Sequence, residues 1–229
     1  MNRRYFNYYQ YLGPGLLTPI AVWLWWQRYA GNVWLTAYAC GLPIVYAYIV
    51  PGIGTNVLKV WEFDTRFRLG RFRPQHGFLF GSATATLVWL SHSQPVTNWG
   101  DLLRLAFVLT GVLGLINTLY DIRALRVGLL HVYNQPWADC KGHEAIALDY
   151  CPWFFGGYGA AFGIALGSAE WIATLDHFNG LTFAWMFPLG LALTIAVPVI
   201  GYRAQSFRRY GHSGCHPVRK SSDSRGISR

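Results

Sequence analysis

Six apolar stretches, separated by short polar segments, constrain this chain more than any other feature. Their approximate bounds are 12–27, 33–53, 77–92, 102–120, 153–175 and 181–202. A helix crossing a hydrocarbon core about 30 Å thick needs about 20 mostly apolar residues, and must satisfy its own backbone hydrogen bonds because lipid offers none. Leu181–Tyr202 carries no charge, and Leu102–Tyr120 carries only Arg104, near enough to one end for its guanidinium to reach the headgroups. The first stretch is short and holds Pro14 and Pro19, so the expectation there is open between a full crossing and a broken, re-entrant segment. Composition points the same way. The chain is 53% hydrophobic and 13% charged, against about 25% charged in soluble domains. A disordered chain is excluded, and the expected fold is all-α: a polytopic membrane helical bundle of about six transmembrane helices.

The positive charges orient that bundle. Of nineteen Lys and Arg, six spans with both termini inside place seventeen on the cytoplasmic side. These are Arg3 and Arg4; Lys59, Arg66, Arg68, Arg71 and Arg73; Arg123, Arg126 and Lys141; and seven from Arg203 onward. Only Arg28 and Arg104 fall outside, and the loops around 93–100 and 176–180 have no Lys or Arg. Cytoplasmic loops retain positive charge and translocated loops do not, so an even span count with cytoplasmic N- and C-termini is expected. The net charge of +9 then reflects orientation and contact with membrane lipids, and no nucleic-acid partner is expected. Trp23, Trp25, Trp26 and Trp34, then Trp89 and Trp99, then Trp171 and Trp185, flank the three outer turns as interfacial anchors. Trp61 and Trp153 remain as residues that could line a substrate.

The expected organisation is a transmembrane domain over 1–203, with two long cytoplasmic loops (54–76 and 121–152), and a basic cytoplasmic tail over 204–229 whose end, Ser221–Arg229, has a disordered composition. Arg3, Arg4, an apolar run and Ala37-Tyr38-Ala39 imitate a secretory signal. Gln27, Arg28 and Asn32 interrupt the run, and apolar sequence continues to Ile53, so no cleavage is expected. Localisation is expected to be integral and multi-pass, in a bacterial-type inner membrane or its equivalent. The four cysteines Cys40, Cys140, Cys151 and Cys215 fall within the bilayer or on the reducing side and suggest no disulfide framework.

Chemistry-bearing residues concentrate in the two inner loops. Phe63-Asp64-x-Arg66-x-Arg68-Leu69-Gly70 and Tyr120-Asp121-x-Arg123-x-x-Arg126-Val127-Gly128 share a pattern with one inserted residue, which a parallel internal repeat facing one cleft would explain. On that reading Arg66, Arg68, Arg123 and Arg126 clamp an anionic headgroup, while Asp64 and Asp121 act as acid/base groups or metal ligands, supported by Glu62 and His76. The competing reading makes the arginines orientation charges and the acids their surface partners. His76 follows Pro74 and Gln75 at a helix start, where a neutral imidazole is favoured and could serve as a base or ligand. Cys140, His143 and Cys151 have the spacing C-x2-H-x7-C, which with a fourth ligand would suit zinc; a divalent metal is the only cofactor suggested, and the pattern matches no standard zinc spacing. No repeated His box, P-loop, dinucleotide fingerprint or G-x-S-x-G elbow is present.

Glu170 lies inside the fifth span among small residues, where an acid marks either a pathway or a group reaching water. The expected function is an integral membrane enzyme with a cytoplasm-facing polar site acting on a lipid, isoprenoid or other amphiphilic small molecule. The alternative is a transporter or accessory membrane subunit, in which Glu170, Pro43, Pro51 and Pro188 shape a path.

Overall fold

A computed structural model of the chain describes residues 3–175 and 178–220. It is mostly helical. The elements are α1 (Arg3–Arg28), α2 (Val33–Gly52), β1 (Trp61–Phe63), α3 (His76–Ser91), α4 (Trp99–Arg126), β2 (Leu130–Val132), α5 (Gln135–Ala138), α6 (His143–Cys151), α7 (Tyr158–Leu175) and α8 (Gly180–Tyr210). The six long helices coincide with the six apolar stretches. By length and hydropathy, the segments Val33–Val57, Trp99–Arg126 and Gly180–Tyr210 could each cross a membrane. Large apolar side chains left facing outward, among them Leu16 and Ile20 on α1, Phe107 and Leu115 on α4, and Leu189 and Ile200 on α8, suit lipid contact better than water.

Local chemistry sets the helix ends. Asn32, Asn98 and Asn179 cap α2, α4 and α8, each side chain accepting a backbone N–H of the first turn. Gly211, at φ 75°, stops α8 in the left-handed region that a side chain disfavours. Pro14 and Pro19 do not break α1, which runs from Arg3 to Arg28. The broken-helix alternative is therefore not what the backbone adopts.

Successive long helices run up and down, with small residues letting them approach. A Cβ at Gly159 would lie 2.4 Å from the Leu109 carbonyl oxygen, and one at Gly163 would lie 2.6 Å from the Ala106 Cα, so α7 sits against the backbone of α4. Gly81 of α3 meets the backbone of Ile44 on α2 in the same way.

Two features depart from the expectation of helices joined by open loops. The loops are tied by a short antiparallel ribbon, in which Trp61 pairs with Val132, Glu62 with His131 and Phe63 with Leu130. The alternation of the strand turns Phe63, Leu130 and Val132 inward, where they join Phe6, Phe72, Tyr150 and Tyr202 in a second core beneath the loops. In addition, α2 and α6 each run on into wide turns with i→i−5 bonds. Leu58 N–H donates to the Ile53 carbonyl, and Tyr158 N–H to that of Trp153. The basic tail begins as helix, and its next residues fold back over the loops, where Val218 N–H donates to the Tyr133 carbonyl at 2.9 Å. The stretch expected to be disordered, 221–229, lies outside the described residues.

Candidate functional site

At the end of the bundle that carries the basic loops, α1, α2, β1, α3, α4 and the second wide turn enclose a cavity of about 90 Å³. Its walls are largely aromatic, with Tyr46, Trp61, Phe63, Phe80, Phe154 and Phe155 contributing, and its polar groups are Arg73, His76, Asn117, Tyr120, Asp121 and Tyr150. An apolar chamber with a few convergent polar groups is the general form of a small-molecule site.

Arg73 is the decisive residue. Only 2% of it is exposed. Its position follows from Phe72-Arg73-Pro74: Phe72 is anchored in the second core, and His76 N–H donates to the Arg73 carbonyl at 3.0 Å as α3 begins. The guanidinium lies 4.5 Å from the centroid of the Phe63 ring. Its Nε–H donates to His76 Nδ1 at 3.0 Å, whereas Nη1 is buried without a hydrogen-bond partner. Arg73 enters none of the ion pairs among the described residues. A permanently charged group buried in this way costs several kcal/mol unless something compensates it.

The same hydrogen bond fixes the state of His76. A guanidinium N–H can only donate, so Nδ1 holds the lone pair and the imidazole proton is on Nε2. His76 is buried among Phe63, Phe72 and Phe80. It can therefore donate a hydrogen bond through Nε2, and the expected role as a base does not suit it. Asp121, near the end of α4, is also buried and accepts the Tyr150 hydroxyl at 2.6 Å. Burial, reinforced by the charge of Asp121, pushes the Tyr150 phenol well above its usual range and keeps it a donor. The Tyr120 hydroxyl is a second buried polar atom here without a partner.

Of the residues singled out from sequence, Trp61, His76 and Asp121 meet in this cavity, and the other candidate catalytic, headgroup-binding and metal-ligating residues lie elsewhere. Glu62 is on the outward side of β1, where its carboxylate accepts Arg68 at 3.2 Å and the Tyr133 hydroxyl at 3.0 Å. Asp64 pairs with Arg3 at 2.6 Å, and that hydrogen bond holds its carboxyl below the usual range. Arg66 lines a surface hollow with Arg3, Asn7 and Asp64. Arg123 is exposed, and Arg126 pairs with Glu144 at the surface. The two halves of the proposed repeat end alike, with Gly70 and Gly128 both at positive φ, yet Asp64 is half exposed and Asp121 is buried. Cys140 and His143 are exposed while Cys151 is buried, and among the described residues no three His, Cys, Asp or Glu side chains gather where they could hold a metal ion.

Glu170, at the opposite end, accepts the Tyr29 hydroxyl at 2.7 Å, His92 Nε2 at 2.8 Å and the Val96 N–H at 3.1 Å. A carboxylate with three donors ties α1 and the α3–α4 connection to α7.

Arg73 and Tyr150 were not singled out from sequence. The available signal for Arg73 was its place between Phe72 and the proline opening a helix. Comparison with protein-family models, curated proteins and solved structures finds no significant match to this chain.

Proposed function

We propose that the chain is an integral membrane enzyme of six crossings, with both termini and the basic loops cytoplasmic, that takes the anionic head of an amphiphile into the cavity beside Arg73. The six long helices on the six apolar stretches, their outward apolar side chains and the one-sided Lys and Arg support the topology. The observation that carries the functional reading is the buried Arg73, whose Nη1 lacks a partner. An anionic ligand would give that guanidinium a partner in a largely aromatic chamber, where a charge-assisted hydrogen bond is strong.

The roles follow from the geometry. Arg73 grips the head and His76 Nε2–H polarises an oxygen of it. Asp121, oriented by Tyr150, is the acid/base group. Arg66, Arg68, Arg123 and Arg126 lie outside and draw anionic lipid to the basic end. A transporter built around Glu170 has less support, because that carboxylate is engaged by three donors.

The test compares lipid extracts of the purified wild-type protein and Asp121→Asn by mass spectrometry, after expression in the same cells. The enzyme reading expects the variant to fold and to retain an amphiphile that the wild type retains in chemically altered form or releases. Identical retained species in both proteins would contradict it and favour binding or transport without chemistry.

A further inference from the structure

A second cavity, of about 230 Å³, lies directly behind the first. Ile53 and Leu58 of the first wide turn, Val132 of β2, and Ile195 and Val199 of α8 form its apolar walls, and Cys215 of the folded-back tail faces it. Arg203 stands exposed at its rim, and its other polar neighbours are engaged elsewhere. The Asn134 amide and the Tyr202 hydroxyl both donate to Asp149, and the Cys215 thiol is directed to the Ser213 carbonyl. Away from that rim, a space with so few free polar groups offers a guest mainly apolar surface.

Val50, Trp61 and Phe154 line both cavities. The partition between them is therefore made of side chains. Trp61 and Phe154 meet edge to face with centroids 5.0 Å apart. The indole lies against Gly54, where a Cβ would fall 2.3 Å from its Cε3. The wide turn thus brings a glycine against the tryptophan, so that joining the chambers would require Trp61 or Phe154 to change rotamer.

We infer that the two cavities form one slot for a single-chain amphiphile, its small singly charged head at Arg73 and its apolar chain passing Trp61 into the space between α2 and α8. This rests on the proposed reading of Arg73. Arg73 forms no ion pair with the chamber's one acid, Asp121, which the Tyr150 hydroxyl engages, so a single added negative charge would serve the guanidinium, and a carboxylate carries one where a phosphate monoester carries nearly two. A long-chain carboxylic acid is the ligand that fits.

The test uses palmitic acid carrying a diazirine near its methyl end, photolysed with the protein in phosphatidylcholine nanodiscs, with adducts mapped by peptide mass spectrometry. The slot predicts adducts at Leu58, Val199 or Cys215. Val199→Trp should lower their yield about tenfold, since an indole there displaces two or more methylenes from apolar surroundings. Ile195→Phe serves as the blocking variant should Val199→Trp not fold. Unlabelled palmitate should compete, and hexadecanol should not. Adducts confined to outward-facing residues such as Leu189 and Ile200, unchanged by either blocking variant, would overturn the slot. Competition by a lysophosphatidate but not by palmitate would overturn the carboxylate assignment. Slot adducts that survive Arg73→Met would instead refute the reading of Arg73 while leaving the apolar slot standing.

Discussion

Arg73 stands apart because it is buried without an ion pair among the described residues. If its charge serves a ligand, removing it should not harm the empty fold. Arg73→Met keeps apolar contact with Phe63 and His76 and relieves a desolvated cation, so thermal unfolding of the ligand-free variant in detergent should occur at or above the wild-type temperature. A marked drop would mean that the guanidinium is structural. Asp64 makes the contrasting case of an acid with a surface partner. Arg3 holds its folded carboxyl below the unfolded value of about 3.9, so the stability it adds is present above that pH and is lost as pH falls through the folded value. Because the carboxylate is 49% exposed, that contribution is at most about 1 kcal/mol. Asp64→Asn should accordingly narrow the stability difference between pH 7 and pH 3 by no more than this, measured by denaturant unfolding at both values. These residues also show what a sequence conceals. Asp64 and Asp121 occupy equivalent places in a shared pattern, and the packing of other elements around the end of α4 buries one of them. Arg73 looks like any other loop arginine until Phe72 and Pro74 turn it inward.

At the scale of elements, the apolar runs located all six long helices because lipid and core both select the same side chains. The ribbon is not legible in the sequence because strands of three residues give the period-two alternation too little length to stand out. Its consequence was large: Glu62 follows Trp61 and precedes Phe63, and alternation sends it outward, away from the cavity it was expected to serve. The wide turns after α2 and α6 were equally hidden, since they arise from one extra residue per turn and not from a composition. Helix contact carries its own prediction. Gly163→Val would place a branched side chain against the Ala106 backbone and force α7 from α4, costing about 1–3 kcal/mol. Gly111→Ala, on α4 where a Cβ meets nothing within 4 Å, should be neutral or slightly stabilising. Parallel unfolding of the two variants in mixed micelles measures the difference; equal effects would show that the α4–α7 contact is looser than the backbone geometry implies.

The whole molecule has two unlike ends. One is closed by Glu170 with its three donors, among tryptophans and few cations. The other carries most of the positive charge, a folded cap of loops and tail, and two adjoining cavities with an unpaired cation between aromatic walls. Charge distribution alone indicated which end faces the basic side, but which arginine does more than orient the chain depended on contacts between residues distant in sequence. The buried Arg73 is proposed to hold an anionic amphiphile. Mass spectrometry of the small molecules retained by wild-type protein and by Arg73→Met, purified side by side into nanodiscs, tests it most directly. A stoichiometric anionic amphiphile is expected in the wild type and not in the folded variant; the same molecule, at the same occupancy in both, would rule out that role for Arg73.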